Sequence, residues 1–446
     1  MATKEASNRI LLVGGGAREH AIGKALCKSQ NVELFVVMNN RNPGLEELSS
    51  GNFLKHVEKD KSVIRDWALE QKINLAVIGL EDPLDVGLPD ELNSNGIPTV
   101  GPIKLAAQLE TSKIFTRNLM RDYNIPGQVE YHYFTDANSF RKFLLSSSQD
   151  FALKPIGLTA GRGVKIMGEH FESKGEAVDY GVTVLRTTGE LIVEERLVGE
   201  EFTLQTFVDG ETVLPMPLVQ DFKRAGEGDV GPNTGSMGSY SQADGLLPFV
   251  TKEERDQGLE IIRQVIHALR DKKILYQGIL YGQFMITENG LKLVEINARF
   301  GDPEAINVLP LLKNDFVDVC RAITKGTLKS VDIHFLRKAT VCKYITPRGY
   351  GYEPVQGERI ELDKAKIESL GVRVYYAKLD RKGDQLLTTT SRSIALLGIG
   401  DSVEQAEALV EQALSHVQGN YHVRHDIAKK ELLQRKVLTK RTLVST

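Results

Sequence analysis

The chain has 446 residues, of which 41% are hydrophobic and 26% charged, and its 56 basic and 59 acidic residues leave a net charge of −3. This length predicts about three domains, and the composition is typical of a soluble globular protein. The charge balance gives no overall positive charge that would indicate nucleic-acid binding, although it is compatible with a local basic pocket. No apolar run is long enough to span a membrane. A secretory signal would need a longer apolar stretch than the N-terminus offers, and a transit peptide would be richer in arginine. Three distant cysteines suit a reducing cytosol, so we expect a cytoplasmic protein.

Short apolar runs alternate with helical patterns in the N-terminal region. The runs at 10–13, 34–38 and 75–78 have the continuous hydrophobic character of buried parallel strands, and apolar residues repeat at helical spacing between them. This order predicts a doubly wound parallel sheet. Gly101-Pro102 interrupts regular structure, so we expect the first domain to end there.

The motif GGGAREH (14–20) follows the first strand and opens a helix. Its glycines let a ligand approach the backbone, the free N–H groups of a helix start attract an anion, and Arg18 adds a cation. Glu19 replaces the last glycine of a dinucleotide fingerprint, so a small phosphorylated ligand fits better than a nicotinamide cofactor. A tight turn with surface charges is an equally good interpretation of this motif alone, and His20 by itself is typical of an exposed or capping residue.

A helix is predicted over 105–123, in which Lys113 alone is typical of a solvated lysine. Strands at 151–154 and 164–167 then enclose a loop with three glycines and two cations, and another strand follows at 191–194. The loop is not a P-loop, because a strand rather than a helix follows it. It could close over polyphosphate through charge-assisted hydrogen bonds, although an ordinary glycine-rich turn has the same composition.

A hairpin is predicted around Glu288-Asn289-Gly290, between strands at 279–287 and 291–297. Strand alternation puts Glu295 and Asn297 on one face, where a carboxylate and an amide oxygen suit Mg²⁺ bound together with phosphates. Gln283 lies opposite Glu295 if a three-residue loop has a bulge at Gly290, whereas a two-residue loop turns it to the other face.

The glycine-dense stretch 223–240 has the composition of a mobile linker. Its position between strand-like segments and its opening basic pair, Lys223-Arg224, argue instead for a functional loop. Beyond about residue 331, strands at 339–344 and 372–377 and a late helix predict a last α+β domain.

With these segments in order, the chain resembles the phosphoribosylamine–glycine ligase family of ATP-grasp enzymes. The matching stretches are GGGAREHA (14–21), GLEDPL (79–84), LETSKIFTRNLM (109–120), GLTAGRGV (157–164), VEERLVGEEFTL (193–204), QDFKRAGEGDVGPNTGSMGSYS (220–241), VEINARFGDPEA (294–305) and, more weakly, YHVRHDIA (421–428). The resemblance implies an α/β protein with an N-terminal doubly wound parallel-sheet domain (1–102), a central ATP-grasp domain (103–331) whose lid covers about 123–193, and a smaller C-terminal α+β domain (332–446).

The resemblance also implies the residues of the site. Those expected to contact the ATP phosphates are Lys113, Lys154 and the lid residues Gly157, Gly161, Arg162 and Gly163. The hinge, with Glu194, Glu195 and Leu197, is expected to hold the adenine through its backbone, and either Glu200 or Glu201 is expected at the ribose. Glu295 and Asn297 are the expected ligands of Mg²⁺ or Mn²⁺. The expected substrate residues are Gly16, Arg18, Glu81, Asp221, Arg224, Asn233 and Thr234, and the expected catalytic residues are Lys223, Arg299 and Asp302. The chain departs from the family pattern at Arg162, Phe222 and Gln283 and in the loops 39–44 and 388–393.

The activity implied is the ATP-dependent joining of glycine to 5-phosphoribosylamine through a glycyl phosphate, a step of purine biosynthesis. A monomer that binds small molecules, and neither nucleic acid nor membrane, is expected. Two alternatives stay open: another ATP-grasp carboxylate–amine ligase, and a nucleotide-binding sensor without catalysis. Arg18 and the GPNTG stretch favour a phosphorylated amine over the first, and Lys154, Glu295 and Asn297 argue against the second.

Overall fold

The N-terminal region forms one parallel sheet flanked by helices. A computed structural model describes residues 7–156 and 164–445, and its first sheet has the strand order β3-β2-β1-β4-β5 with every pair parallel. The elements are β1 Asn8–Val13, α1 Ala17–Leu26, β2 Val32–Met38, α2 Pro43–Leu48, β3 Phe53–Lys55, α3 Lys61–Glu70, β4 Leu75–Ile78, α4 Glu81–Asp85, α5 Leu88–Ser94 and β5 Thr99–Val100. Alternate residues of β1 lie in two different hydrophobic clusters, so both faces of the sheet are covered. The predicted doubly wound sheet is confirmed.

Two helices follow, and after them a small antiparallel sheet with two more helices. The elements are α6 Lys104–Thr111, α7 Lys113–Asp122, β6 Tyr131–Phe134, α8 Ala137–Ser146, β7 Phe151–Pro155, β8 Lys165–Ile166, α9 Lys174–Thr188 and β9 Leu191–Glu195, with the strand order β6-β9-β7-β8. The prediction of one helix over 105–123 is wrong. Ser112 leaves the helical conformation and caps α7 by accepting a hydrogen bond from the Phe115 N–H, so Lys113 begins a new helix.

The central sheet has the order β11-β10-β16-β17. This part of the chain contains β10 Glu200–Asp209, β11 Val213–Pro215, β12 Gln220–Asp221, β13 Arg224–Gly226, β14 Val230–Asn233, β15 Gly238–Ser241, α10 Lys252–Asp271, β16 Gln277–Thr287, β17 Gly290–Asn297, α11 Glu304–Val308 and α12 Phe316–Lys325, with short 3₁₀ turns at Leu309–Leu311 and Leu328–Ser330. The loop between β16 and β17 has two residues, so a bulge at Gly290 is wrong. Gln283 nevertheless pairs with Glu295, because the extra residue of the bulge is Val294, deeper in β17.

The C-terminal sheet has the order β12-β15-β18-β23-β20, with β25 added on β18, and a second small sheet has the order β21-β22-β19-β24. The elements are β18 Ala339–Pro347, β19 Arg359–Leu362, α13 Lys364–Ser369, β20 Arg373–Tyr376, β21 Leu379–Lys382, β22 Gln385–Thr388, β23 Ile394–Gly400, α14 Val403–Leu414, β24 Val417–Gly419, β25 Tyr421–His422 and α15 Lys430–Ser445. The glycine-dense stretch is therefore ordered, because its flanking strands β12 and β15 extend the C-terminal sheet. Among the described residues, no helix is both long and apolar enough to cross a membrane.

Candidate active site

Glu295 and Asn297 lie side by side at the end of β17, as strand alternation predicted. The Asn297 amide donates to a Glu295 carboxylate oxygen at 3.2 Å, and the Glu295 side chain is open to solvent. Arg117 sets their position, because its guanidinium donates to the carbonyl oxygens of Leu293 and the bulged Val294 at 2.9 and 2.6 Å. Although the Glu295 side chain reaches solvent, the protein around it partly desolvates the carboxylate and raises its pKa. Lys223 leads the nearby groups that bring the pKa below its ordinary value, so the carboxylate is ionised.

This pair fits a magnesium ion that is shared with phosphate groups. It offers two hard oxygen donors, and within residues 7–156 and 164–445 no group of three or more His, Cys, Asp or Glu side chains could hold a metal ion unaided. Magnesium is commonly held by one or two protein oxygens together with nucleotide phosphates and water. The residues present therefore suit a metal that arrives with a nucleotide.

Two lysines face this pair from different elements. Lys113 is half-buried at the start of α7, and Lys154 lies at the end of β7. Burial lowers the pKa of Lys113, Glu295 raises it and Lys154 lowers it again, so these three charges share one region. Two cations beside a metal-binding pair are suited to the charge of a polyphosphate.

Glu194 is a buried carboxylate between Lys154 and Arg117. It accepts hydrogen bonds from the Lys154 ammonium and, at 2.8 Å, from the Arg117 guanidinium. Burial raises the pKa of Glu194, but these two cations outweigh burial and bring the pKa down to about 2. Glu194 therefore fixes Lys154 through its side chain, whereas the resemblance implied a role for its backbone.

The structure describes only some of the predicted hinge and lid residues. Gly157, Gly161, Arg162 and Gly163 lie outside the described residues. Leu197 is half-buried in the connection between β9 and β10. The Glu195 carboxylate accepts a hydrogen bond from the Glu130 N–H at 3.0 Å and lies 3.4 Å from the Lys292 ammonium, which anchors the hinge to the central sheet.

Glu200 and Glu201 point to opposite faces of β10. Glu200 pairs with Lys436 of α15 at 3.3 Å, whereas the Glu201 carboxylate lies 3.1 Å from the Lys223 ammonium and accepts a hydrogen bond from Gln283 at 2.7 Å. Since Gln283 is paired with Glu295 across the sheet, Glu201 is on the face that carries the expected metal ligands. Gln283 thus lies on this face next to Glu295 and donates a hydrogen bond to Glu201.

The glycine loop after β1 meets Glu81 and Arg299. The Gly16 N–H donates to a Glu19 carboxylate oxygen at 2.7 Å, so this one N–H of the helix start already has a partner. The Arg18 guanidinium is buried, 2.6 Å from Glu19 and 3.9 Å from Glu81. Burial raises the pKa of Glu81, but Arg299, at 3.3 Å, and Arg18 outweigh burial and lower the pKa to about 2.

Arg299 is held by a second carboxylate, which sequence reasoning missed. Glu110, at the end of α6, lies 2.8 Å from the Arg299 guanidinium and accepts the Ala298 N–H at 2.7 Å. Burial raises the pKa of Glu110 to about 7, against the opposing effect of Arg299. Arg299 also donates to the Asn297 amide oxygen at 3.3 Å, so it connects the expected metal ligands to the glycine loop.

Residues 223–234, named here the glycine hairpin, consist of β13, β14 and their connection, with Lys223 and Thr234 at the two ends. The Thr234 N–H and hydroxyl both donate to the Lys223 carbonyl, at 2.7 and 2.8 Å, and Arg224 pairs with Asn233 across the strands. Arg224 also lies 2.6 Å from Glu169, next to β8.

Lys223 and Asp221 form the inner end of this region. Burial lowers the pKa of Lys223, but Glu201 and Asp221 outweigh burial and raise it above its ordinary value. Asp221 accepts a hydrogen bond from the Ser236 hydroxyl, and burial with the neighbouring Glu304 raises the pKa of Asp221 to about 8. The two predicted residues therefore lie beside the expected metal-binding face.

Asp302 joins the site from the other side. Its carboxylate accepts hydrogen bonds from the Tyr344 hydroxyl and, at 2.8 Å, from Arg392, which also donates to the Asp302 carbonyl at 3.1 Å. A Cβ on Gly16 would lie 4.0 Å from the Asp302 carboxylate, so the glycine loop approaches it closely. Arg392 comes from the divergent loop 388–393, and no sequence pattern linked it to Asp302.

His20 is buried, so the expectation of an exposed or capping histidine is wrong. Its Nδ1 accepts the Tyr376 N–H at 3.0 Å, and its ring stacks on the Tyr376 ring with centroids 5.8 Å apart. Burial lowers the pKa of His20 well below its ordinary value, with Lys24 adding to the effect. The neutral imidazole therefore joins α1 to the C-terminal sheet.

Solved structures with a similar fold indicate the class to which this fold belongs. A phosphoribosylamine–glycine ligase from Thermotoga maritima matches with a TM-score of 0.77 at 24% identity, covering 94% of this chain and 100% of that one. The biotin carboxylase domain of the 2-oxoglutarate carboxylase from Hydrogenobacter thermophilus matches with a TM-score of 0.72 at 15% identity, covering 96% of this chain and 95% of that one. The chain thus shares its fold with both proteins, and part of it matches the profile of an ATP-grasp domain.

Sequence similarity narrows the class to one family. Three domain profiles of phosphoribosylglycinamide synthetase match consecutive parts of the chain: the N domain at 8–110, the ATP-grasp (A) domain at 111–305 and the C domain at 340–430. Proteins named phosphoribosylamine–glycine ligase from Methanothermobacter thermautotrophicus and Methanocaldococcus jannaschii are 46% and 45% identical over 433 and 436 residues, each covering 96% of this chain and 98% of the relative. The chain belongs to the phosphoribosylglycinamide synthetase family, and the resemblance read from its motifs is confirmed.

Proposed function

We propose that the chain joins glycine to 5-phosphoribosylamine with ATP, through a glycyl phosphate, and releases glycinamide ribonucleotide, ADP and phosphate in purine biosynthesis. The observation that carries this proposal is that the hydrogen-bonded pair Glu295 and Asn297 lies near Lys113 and Lys154, in a chain that is 46% identical to a protein named for this activity. The roles assigned to individual residues below are part of the proposal.

ATP would lie between the lid and the central sheet. Lys113 and Lys154 would contact its phosphates, and the hinge that ends at Leu197 would hold the adenine. Glu201 is favoured for the ribose over Glu200, because Glu200 is paired with Lys436 on the other face of β10. Glu295 and Asn297 would hold Mg²⁺ or Mn²⁺, which supplies positive charge to the phosphate oxygens when bound.

The reaction would proceed in two displacements. A glycine carboxylate oxygen attacks the γ-phosphorus of ATP, the bond to the β-phosphate oxygen breaks, and ADP leaves. The amine nitrogen of phosphoribosylamine then attacks the acyl carbon, phosphate leaves with the bonding pair, and the nitrogen loses a proton. Because an acyl phosphate is already activated, Lys223, Arg299 and Asp302 would act by orienting the reactants and balancing charge.

Phosphoribosylamine would bind between the glycine loop and the glycine hairpin. Gly16, Arg18 and Glu81 would approach it from one side, and Arg224, with Asp221, Asn233 and Thr234, from the other. We further propose that the protein is a cytoplasmic monomer and that its three domains divide near residues 102 and 331.

The test is ADP release by the purified protein with ATP and Mg²⁺, when glycine and freshly made phosphoribosylamine are added singly and together. Turnover that needs both substrates supports the proposal, and the product is identified by mass spectrometry. Turnover with another carboxylate or amine would contradict the substrates and favour a different ATP-grasp ligase. ATP binding without turnover under any pairing would contradict catalysis and favour a nucleotide sensor.

A further inference from the structure

Arg424 is a buried cation that the proposed chemistry does not use. It follows β25 in the C-terminal region, and its side chain is fully buried. Its guanidinium donates to both Asp426 carboxylate oxygens at 2.9 and 2.8 Å, to the Arg224 carbonyl at 3.0 Å and to Asp229 at 3.0 Å. Two of these four bonds therefore reach the glycine hairpin, which precedes Arg424 by about two hundred residues.

The same C-terminal segment makes further bonds to the glycine hairpin. The Gly228 N–H donates to Asp426 at 2.7 Å, and the His425 N–H donates to Glu227 at 3.1 Å. His422 lies within hydrogen-bonding distance, 3.0 Å, of the Ala225 carbonyl. These bonds connect one strand and the turn of the hairpin to residues that follow β24.

Few contacts within the glycine hairpin stabilise its conformation. Its strands share only two paired positions, with an irregular register between them, and it contains three glycines. An isolated two-stranded hairpin is marginally stable at best in water. Bonds from outside the hairpin are therefore a large part of what keeps it in one conformation.

One further contact makes Asp229 the central link, and another holds Arg424 at the base of the hairpin. Its second carboxylate oxygen lies 2.8 Å from the Lys436 ammonium of α15, so one side chain joins the hairpin to two C-terminal cations. Arg424 also lies over the ring of Phe222 at 5.4 Å, and Phe222 is one of the positions where this chain departs from its family pattern. A guanidinium over an aromatic ring adds a favourable contact at the base of the hairpin.

We propose that Arg424, acting through Asp229, is a positioning residue for the phosphoribosylamine-binding hairpin. It touches no substrate, but it determines where the hairpin presents Lys223 and Arg224. Only the identity of the ligand rests on the function proposed above. Because Lys223 keeps its own contact with Glu201, 3.1 Å away at the proposed ribose position, loss of this fastening should weaken use of the amine far more than use of ATP.

The first test variant is Asp229→Asn. It removes the charge that faces both cations but leaves the Arg424–Asp426 and Lys436–Glu200 pairs in place, so the fold should survive. Asp229 has a positive φ of 65°, a conformation that asparagine adopts readily. The second variant, Arg424→Lys, keeps the charge but cannot make the same four bonds. The control is Arg348→Met, which breaks an exposed ion pair with Glu358 in the same region.

Two measurements are made on each full-length variant. Hydrogen exchange of the unliganded protein reports whether residues 224–233 remain protected, and steady-state kinetics give separate KM values for phosphoribosylamine, glycine and ATP. In both test variants we expect exchange in the hairpin to become at least about tenfold faster, and KM for the amine to rise about tenfold, while KM for ATP stays within about twofold. The control should match the wild type.

Unchanged exchange in both variants would overturn the proposal, because the hairpin would then not depend on these bonds. Faster exchange with an unchanged KM for the amine in active protein would also overturn it, because the hairpin would not position that substrate. A wild type without turnover would instead contradict the proposed function. The exchange measurement uses no substrate, so it would still decide whether Arg424 and Asp229 hold the hairpin.

Discussion

Glu194 holds two cations through its buried carboxylate, and its replacement by glutamine gives a quantitative test of the site's electrostatics. Glu194→Gln preserves the shape of the side chain but leaves the charges of Lys154 and Arg117 without the carboxylate between them. The pKa of Glu194 is about 2 instead of its ordinary 4.5, and this difference corresponds to about 3 kcal/mol. Removing one partner of a buried ion pair typically costs about 3–5 kcal/mol, so we expect the variant to lose about 3 kcal/mol at pH 7.

The assay is urea unfolding of wild type and variant followed by circular dichroism between pH 3 and 8. Burial opposes ionisation of Glu194 and the two cations favour it, with the cations prevailing, so its folded-state pKa is depressed. Its stabilising contribution is therefore complete above the unfolded pKa of 4.5 and is lost as pH falls from there toward 2. The difference between the two proteins should stay constant from pH 8 to about 5 and shrink below about 4.5.

The matched control is Asp122→Asn, which removes an exposed partner of Arg121 in the helix that carries Arg117. An exposed pair contributes little, so the control should change the free energy of unfolding by less than about 0.5 kcal/mol. A loss below about 1 kcal/mol in Glu194→Gln at pH 7, or a difference that persists unchanged at pH 3, would refute this account of Glu194.

Three further predictions concern metal binding, lid packing and the divergent loop. Glu295→Gln should abolish turnover while the variant still unfolds like the wild type; measurable activity would contradict the metal assignment. Gly181→Ala should destabilise the protein by about 1–3 kcal/mol in urea unfolding because its new methyl group would overlap a buried phenylalanine, whereas Gly175→Ala in the same helix, with only a serine hydroxyl at 3.7 Å, should be neutral or stabilising. Arg392→Met should reduce turnover at least about tenfold in steady-state assays, because it removes a hydrogen-bond donor to Asp302. Arg392→Lys should restore part of the loss, and full activity in the methionine variant would contradict this role.

Sequence alone was enough for several features that residues close in sequence decide. The apolar runs at 10–13, 34–38 and 75–78 became β-strands of one parallel sheet, because a strand covered on both faces needs apolar residues throughout. Glu295 and Asn297 could be placed side by side for an equally local reason, since alternate residues of a strand share a face. The motifs alone also indicated the family to which the chain belongs.

The register of the β16–β17 hairpin shows where local rules stop. A two-residue loop predicts that Gln283 faces away from Glu295, but the bulge at Val294 restores the pairing. That bulge is held by Arg117, whose guanidinium reaches across from α7 to the Val294 carbonyl, 177 residues away in sequence. Nothing in the spacing of β17 itself encodes this contact.

The tertiary structure alone decided which charged groups meet in the site. Hydrophobic periodicity determines which face of an element is buried, but it does not specify the charged side chain on a different element that will lie opposite. Arg392 meets Asp302 across 90 residues, and Arg117 meets Glu194 across 77, because the packing of separate sheets and helices brings them together. The sequence therefore determined the fold class, the family and the residue types available for catalysis. Only the packed structure decided which neighbouring groups hold each of these residues in position and set its ionisation state.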